Sequence, residues 1–263
     1  MVIGPKDIQS TVSESEAAAL KAVNLLREGV INIQPEKAFL TLDPNPTEGC
    51  GNCQRCIQIC PTEAIMFKKG KIFFDEITCI GCGACVPVCP VNAIDLQSIT
   101  NKQLQASIDG ILECDEEIRI IAFTEREIAY TAADIAGVNR LSYPSSIRIV
   151  QVPSTSRVSF KDILHAFSSG ADGVMLLEAP EEGPMGTIHL LAGKKADEYS
   201  NLLSEIDPDL PIRLWFSKIY VPDWRKLVNI FQTFDTIIKD EGKLSQELRN
   251  GMKLASFGNN SKK

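Results

Sequence analysis

The sequence predicts two folded units of different class, a small α+β domain wrapped around cysteine loops and a larger α/β domain built on a parallel sheet. Three observations predict it. Eight of the nine cysteines fall between positions 50 and 89. Within that region Cys50, Cys53, Cys56 and Cys60 recur as Cys79, Cys82, Cys85 and Cys89, each 29 positions on. After Cys114 the cysteines stop, and short apolar runs begin to alternate with amphipathic stretches.

Composition narrows the function classes. With 263 residues, 44% hydrophobic and 23% charged, there is room for a sizeable core. A formal charge of −7 argues against nucleic acid, whose phosphates call for Lys and Arg gathered on one face. No basic and apolar leader opens the chain, and no apolar run approaches the roughly 20 residues of a membrane span, so the expected location is the cytoplasm. Tightly grouped cysteines fit metal ligation in a reducing compartment better than a disulfide framework. Cys114 stands apart as a small hydrophobe.

In chain order, residues 1–40 form an N-terminal helix and linker. The helix spans 13–28, opening on Ser13-Glu14-Ser15-Glu16 and stopping at Gly29. The segment Leu42 to Gly49, rich in proline and turn formers, leads as a loop into a cysteine domain over 41–100. There the duplication extends past the cysteines: Cys60-Pro61-Thr62-Glu63-Ala64-Ile65 returns as Cys89-Pro90-Val91-Asn92-Ala93-Ile94, with a short strand at Lys71 to Asp75 between the halves. A linker helix covers 101–117. The α/β domain spans 118–240, with strands at Ile118 to Phe123, Ile147 to Val152, Gly173 to Leu177 and Ile212 to Phe216. Helices are expected near 127–137, 160–169, 193–204 and 223–238, and a polar, frayed tail fills 241–263.

The run C-x2-C-x2-C-x3-C-P, present twice, is the bacterial ferredoxin signature, in which the fourth cysteine of each run serves the other run's cluster. On that rule Cys50, Cys53, Cys56 and Cys89 hold one [4Fe–4S] cubane, and Cys79, Cys82, Cys85 and Cys60 hold a second. Three thiolates on one tight loop reach three corners of a cubane, so the fourth corner is served from elsewhere. Gly49, Gly51, Gly81 and Gly83 let the backbone approach sulfur and donate amide hydrogens to it. Structural zinc is the competing reading, because C-x2-C pairs also bind zinc. Two complete four-cysteine runs, each followed by proline, favour iron–sulfur. Filled thiolate positions leave no open site for substrate, so the pair of clusters is expected to conduct rather than catalyse.

Ile118-Arg-Ile-Ile-Ala-Phe123, Ala133-Asp-Ile-Ala-Gly-Val-Asn-Arg140, Tyr143-Pro144, Arg157-Val158 and Gly170-Ala-Asp-Gly-Val174 resemble the delta subunit of methyl-viologen-reducing hydrogenases over about 118–238. Upstream, the Ala-rich helix, the cysteine domain and its exit through Ala93-Ile94-Asp95-Leu96 into a Gln-rich helix resemble the C-terminal part of the heterodisulfide reductase A-subunit. The resemblance implies a bacterial-type 2[4Fe–4S] ferredoxin domain followed by a flavodoxin-like α/β domain. The delta subunit normally holds a [2Fe–2S] cluster, but this chain has Thr124, Glu125, Ile128, Ser154, Ala179 and Pro184 where the family has cysteine. No [2Fe–2S] cluster is expected here. Nor is flavin, since no G-x-G-x-x-G is present. The resemblance implies that a flavoprotein of the A-subunit type and further redox subunits are partners.

Weaker signals are weighed beside these. Gly170-Ala-Asp-Gly and Glu181-Glu-Gly-Pro-Met-Gly-Thr sit at strand ends where α/β folds bind ligands, but no phosphate cradle accompanies them. His165, on a helix, and His189, after a Gly-Thr-Ile turn, read as structural or solvated. Asp115 to Glu117 and Glu178 to Glu182 read as solvated loops. The expected function is an electron-transfer subunit with no catalytic residue of its own. The alternatives are a free dicluster ferredoxin and an assembly or activation factor with structural clusters.

Overall fold

A computed structural model describes residues 7–28, 36–41, 50–182 and 186–257. The expected helix stop at Gly29, the loop 42–49 with Gly49, the last residues 258–263 and Pro184 lie outside the described residues, as do Gly183 and Met185 of the second glycine segment.

The chain divides into two compact units, Met1–Pro35 and Glu36–Lys263. In the first, helix α1 runs Ile8–Glu28, five residues longer at its start than Ser13 implied. Asp7 caps it, its carboxylate accepting the Ser10 amide at 2.8 Å, which places the Ser13-Glu16 segment inside the helix.

In the second unit the cysteine region carries two small antiparallel pairs, β1 (Ala38–Leu40) with β4 (Ile94–Leu96), and β2 (Ile65–Lys68) with β3 (Lys71–Phe74). One short helix, α2 (Arg55–Ile59), lies in the first cysteine run. Lys69 and Gly70 join β2 to β3 with φ of 50° and 77°, the doubly left-handed turn that matches strand twist. The duplication is visible in the hydrogen bonds. Ile57 N to Gln54 O and Val86 N to Gly83 O are both 3.0 Å, and Cys60 N to Ile57 O and Cys89 N to Val86 O are both 3.2 Å. Left-handed backbone recurs at the same offset, at Asn52 and Gly81, Gln54 and Gly83, Glu63 and Asn92.

The α/β region is a four-stranded parallel sheet made of β5 (Ile120–Glu125), β6 (Ile147–Val152), β7 (Gly173–Glu178) and β8 (Leu214–Lys218), in the order β6-β5-β7-β8. Its helices are α3 (Asn101–Leu112), α4 (Ala129–Val138), α5 (Phe160–Ser169), α6 (Gly186–Ile206), α7 (Trp224–Glu241) and α8 (Gln246–Phe257). Period-two alternation divides the strands between two cores. Ile121, Phe123, Val152, Val174 and Leu176 pack with α3, α5, α6 and α8, while Ile120, Ala122, Met175 and Leu177 pack with α4 and α7. The central strands β5 and β7 are buried at every residue, as expected of parallel strands covered on both faces.

Four segments differ from their sequence reading, the first being α6, which starts at Gly186 rather than near 193. The expected linker helix is part of the core, with Leu104, Ile108 and Leu112 of α3 buried against α5. In place of a polar tail, α8 buries Met252 and half-buries Leu248 behind the buried Leu244, a spacing of four that puts all three on one face. Arg249 of α8 pairs with Asp172 and donates to the carbonyls of Phe167 and Ala171. Asp172 also accepts the Arg119 amide at 3.1 Å and the Leu244 amide at 2.9 Å. The Gly170-Ala-Asp-Gly segment is therefore a structural hub at the amino end of β7, the opposite edge from the one where such sheets bind ligands.

Candidate metal centre

Both cysteine runs fold back on the apolar interior of their region. Cys50, Cys56, Cys79 and Cys85 are buried there with Ala64, Ile65, Ala93, Ile94 and Leu96, Cys60, Cys82 and Cys89 are half-buried, and Cys53 is exposed. Burial pushes the Cys56 thiol up to about 11, and the thiols of Cys50, Cys89 and Cys53 push in the same direction. Burial also raises Cys85, helped by Cys82, Cys79, Cys60 and, more weakly, Cys56. Cys82 is raised to about 11 by burial, Cys60 and Cys79, with Lys195 opposing. The Sγ of Cys89 accepts the Ala93 amide at 3.1 Å.

Cys56 thus feels Cys50, Cys53 and Cys89, while Cys85 feels Cys82, Cys79 and Cys60 and also Cys56. Cys60, Cys79, Cys82 and Cys85 also line one small cavity with Pro61, Ile65 and Ala84. Among the described residues, no three or more His, Cys, Asp or Glu side chains converge on a single-ion site. A cubane puts each thiolate on a different iron, so its ligands must surround the cluster rather than meet at a point. The thiolate is the ligating form, so loading must displace protons from thiols that burial keeps neutral.

The second run lies under the α/β region. Gly81 and Gly83 have φ of 69° and 79°, and a Cβ would lie 2.0 Å from the Glu36 carbonyl oxygen at Gly81 and 2.7 Å from Arg157 Cδ at Gly83. Asn52 and Gln54 hold the matching positions of the first run with the same backbone. Gly51 has open space where its Cβ would be, so close approach does not explain it. Glu36 is held by a bidentate pair from Arg126, both distances 2.7 Å.

Arg157 belongs to a 3-10 turn, Thr155–Arg157, that follows β6. Its side chain is fully buried, donates to Asn101 Oδ1 at 2.9 Å, and lies 3.6 Å from Asp95 and 3.8 Å from Asp162. Lys195 of α6 donates to the Ser156 carbonyl at 2.8 Å, and Tyr199 to that of Val158 at 3.0 Å. Sequence reasoning missed Arg157 and Lys195 as parts of this junction. A Lys amid the apolar positions Ala192, Ala196 and Tyr199 of a helix was the available signal.

Of the positions that the resemblance assigns to cysteine, Thr124, Glu125, Ser154 and Ala179 sit at or just past the carboxyl ends of the strands and carry a different chemistry. Glu125 accepts amides from Glu127, Ile128 and Ala129 and so caps α4, while Thr124 donates to the Ala122 carbonyl. Ser154 donates to Glu178 Oε2 at 3.0 Å, the backbone amide and hydroxyl of Thr155 donate to the same oxygen, and Ala179 N donates to Oε1 at 3.1 Å. His189 Nδ1 lies 2.8 Å from Glu178 Oε1. Glu178 is 0% exposed, so the expectation of a solvated loop fails for it: as the last residue of a central strand it must be paired inside. His189 is buried within α6 rather than following a turn. His165 is half-buried and pairs with Asp109 at 2.9 Å. No described helix is long and apolar enough to cross a membrane.

Comparison with known proteins places both regions. The methyl-viologen-reducing hydrogenase delta subunit family matches residues 120–242, and the 4Fe-4S dicluster domain matches 49–93 and 78–117. The A-subunit of the ferredoxin:CoB-CoM heterodisulfide reductase of Methanosarcina mazei is 29% identical over 94% of this chain and 30% of its own length. The Methanosarcina acetivorans counterpart is 28% identical over 86% of the chain and 27% of its own length. The chain therefore spans less than a third of these relatives. The iron–sulfur D-subunit of an F420-non-reducing hydrogenase from Archaeoglobus profundus is 31% identical over 130 residues, 92% of that protein and 48% of this one. Sharing 31% identity with 92% of that protein, and with a dicluster region ahead of a delta-subunit region, this chain is an iron–sulfur electron-transfer protein that belongs to the hydrogenase delta subunit family.

Proposed function

We propose that this chain relays single electrons between a flavoprotein and another redox subunit of a cytoplasmic complex of the heterodisulfide reductase type, and that its delta-like region serves docking. Each [4Fe–4S] cluster, when bound, accepts and returns one electron without a change of ligands. Cys50, Cys53, Cys56 and Cys89 would hold one cluster, and Cys79, Cys82, Cys85 and Cys60 the other.

The observation that carries the proposal is the cavity lined by Cys79, Cys82 and Cys85 of the second run together with Cys60 of the first. Adjacency of the sets, with Cys56 felt at Cys85, supports exchange of charge between them. The exposed Cys53 offers an edge at which a partner can approach the first set, while the second set is covered by the α/β region. Structural zinc would need four thiolates on one ion, and no such convergence exists among the described residues. The delta-like region is proposed to hold no [2Fe–2S] cluster and no flavin, because oxygen and carbon stand at its strand ends where thiolates would be required.

Purification without oxygen, followed by iron and sulfide analysis, tests this. About eight irons per chain are expected from two cubanes, about ten would mean that the delta-like region is loaded, and zinc in place of iron would overturn the proposal. Co-elution with a flavoprotein separates a complex subunit from a free carrier. Clusters that cannot be reduced in potentiometric titration would make a structural role the answer.

A further inference from the structure

We infer that a groove along α6, where the α/β region meets the cysteine runs, is the docking site for a redox subunit that presents an apolar helix edged with carboxylates. The inference rests on the relay reading and deepens it, because a relay needs a second docking face besides the edge at Cys53.

Two clefts, of about 550 and 340 Å³, make the groove and share Gln58 and Ile59 of α2. Helix α6 forms one wall of both, through Thr187, Leu191 and Lys194 in the smaller cleft and Lys195, Glu198 and Leu202 in the larger. From Thr187 to Leu202 that wall is about 22 Å long, roughly four turns, which suits a helix laid in a groove. Ile59, Pro61, Val88, Phe160 and Leu190 supply apolar lining, and Leu190 is 42% exposed. Apolar surface rimmed by polar groups marks a contact site.

Charge selects the occupant. The whole chain carries −7, yet among the described residues the charged side chains on the groove walls are Arg55, Lys194, Lys195 and Glu198, three cations to one carboxylate. Arg55 and Lys194 are exposed at the rim. A cationic rim on an acidic chain steers and holds a surface bearing carboxylates.

Position gives docking here a purpose. Cys60 lines the smaller cleft, Gln58 and Ile59 stand between Cys56 and Cys60, and Pro87 and Val88 of the larger cleft stand between Cys85 and Cys89. A helix in the groove therefore borders both sets of thiols at once.

The complex purified without oxygen tests this, by carbodiimide cross-linking read by mass spectrometry. The reagent joins an amine to a carboxylate in contact with it, so Lys194 should link to Asp or Glu in an apolar stretch of a co-purifying redox subunit. Binding of that subunit, purified and added back to the full chain, should weaken roughly tenfold in Leu190→Glu and severalfold in Lys194→Glu. It should be unchanged in Lys226→Glu, whose exposed side chain lies on α7 across the sheet. All three variants should keep the wild-type iron and its reduction by dithionite. Links from Lys194 to a second copy of this chain, no links from it to any subunit, or binding that Leu190→Glu and Lys194→Glu leave intact overturn the inference. So does loss of iron in both groove variants, which would make the groove part of the cluster scaffold. A wild-type chain that elutes alone, or without iron, sinks the relay reading itself and this inference with it.

Discussion

The two cysteine runs share one backbone and live in different surroundings. Their hydrogen bonds and left-handed positions match at the 29-residue offset, yet Asn52 and Gln54 stand where the second run has Gly81 and Gly83. The first run faces outward and tolerates side chains, at the cost of about 1–2 kcal/mol for each left-handed residue. The second lies against Glu36, Leu96 and Arg157, and a Cβ at Gly83 would come within 2.6 Å of Leu96 Cδ1. Duplication thus specifies the loop, and the neighbouring region specifies which residues can build it. The neighbour also brings the buried Arg157 against Gly83 of the second run.

The largest expected effect comes from removing a thiolate. Cys85→Ser should drop iron from about eight to about four per chain if the sets load independently, and Cys56→Ser should do the same for the other set. Iron analysis with electron paramagnetic resonance reads the result. Complete loss of iron in either variant would mean that the two runs form one cooperative site and not two.

Next in size is the anchor of the cover. The turn carrying Arg157 is tied to the sheet by Glu178, which collects Ser154, Thr155, Ala179 and His189. Glu178→Ala leaves those groups buried and unpaired and should cost roughly 3–5 kcal/mol in denaturant unfolding. Iron at the first run should persist, while the signal of the second should broaden or shift. An equal effect on both would show that the cover does not discriminate between them. A smaller effect is expected at Gly83→Ala, about 1–3 kcal/mol from crowding, where Gln54→Ala at the matching position should change stability by less than about 0.5 kcal/mol.

Legibility in the sequence followed the kind of physics involved. The dicluster domain, the helix at Phe160–Ser169 and the strand at Ile147–Val152 are readable because cysteine spacing and periodicity are local. The other strands have ends displaced by one or two residues from their sequence reading. Glu178 defeats that reading because an acidic residue after an apolar run looks like a loop, and only the converging partners from the turn after β6 and from α6 show otherwise. The helix Gln246–Phe257 escapes it because its apolar face is narrow and its anchor, Asp172, lies 77 positions from Arg249. The junction is invisible for the same reason, since Gly83 and Arg157 meet only in the fold.

The smallest effect concerns pH and the start of α4, where Arg126 holds Glu36 over Gly81. Burial raises the Glu125 carboxyl above its ordinary value of 4.5, outweighing the three backbone amides that lower it, and Glu178 nearby pushes the same way. The folded chain therefore keeps this proton to higher pH than the unfolded chain does. Stability from this group is greatest at and below 4.5, declines as pH rises through the folded value, and is level above it. Glu125→Gln keeps an acceptor for the amides and removes the charge, so its unfolding free energy relative to wild type should increase with pH across that window. A difference that stays flat with pH, measured by denaturant unfolding, would mean that the amides govern Glu125 and burial does not.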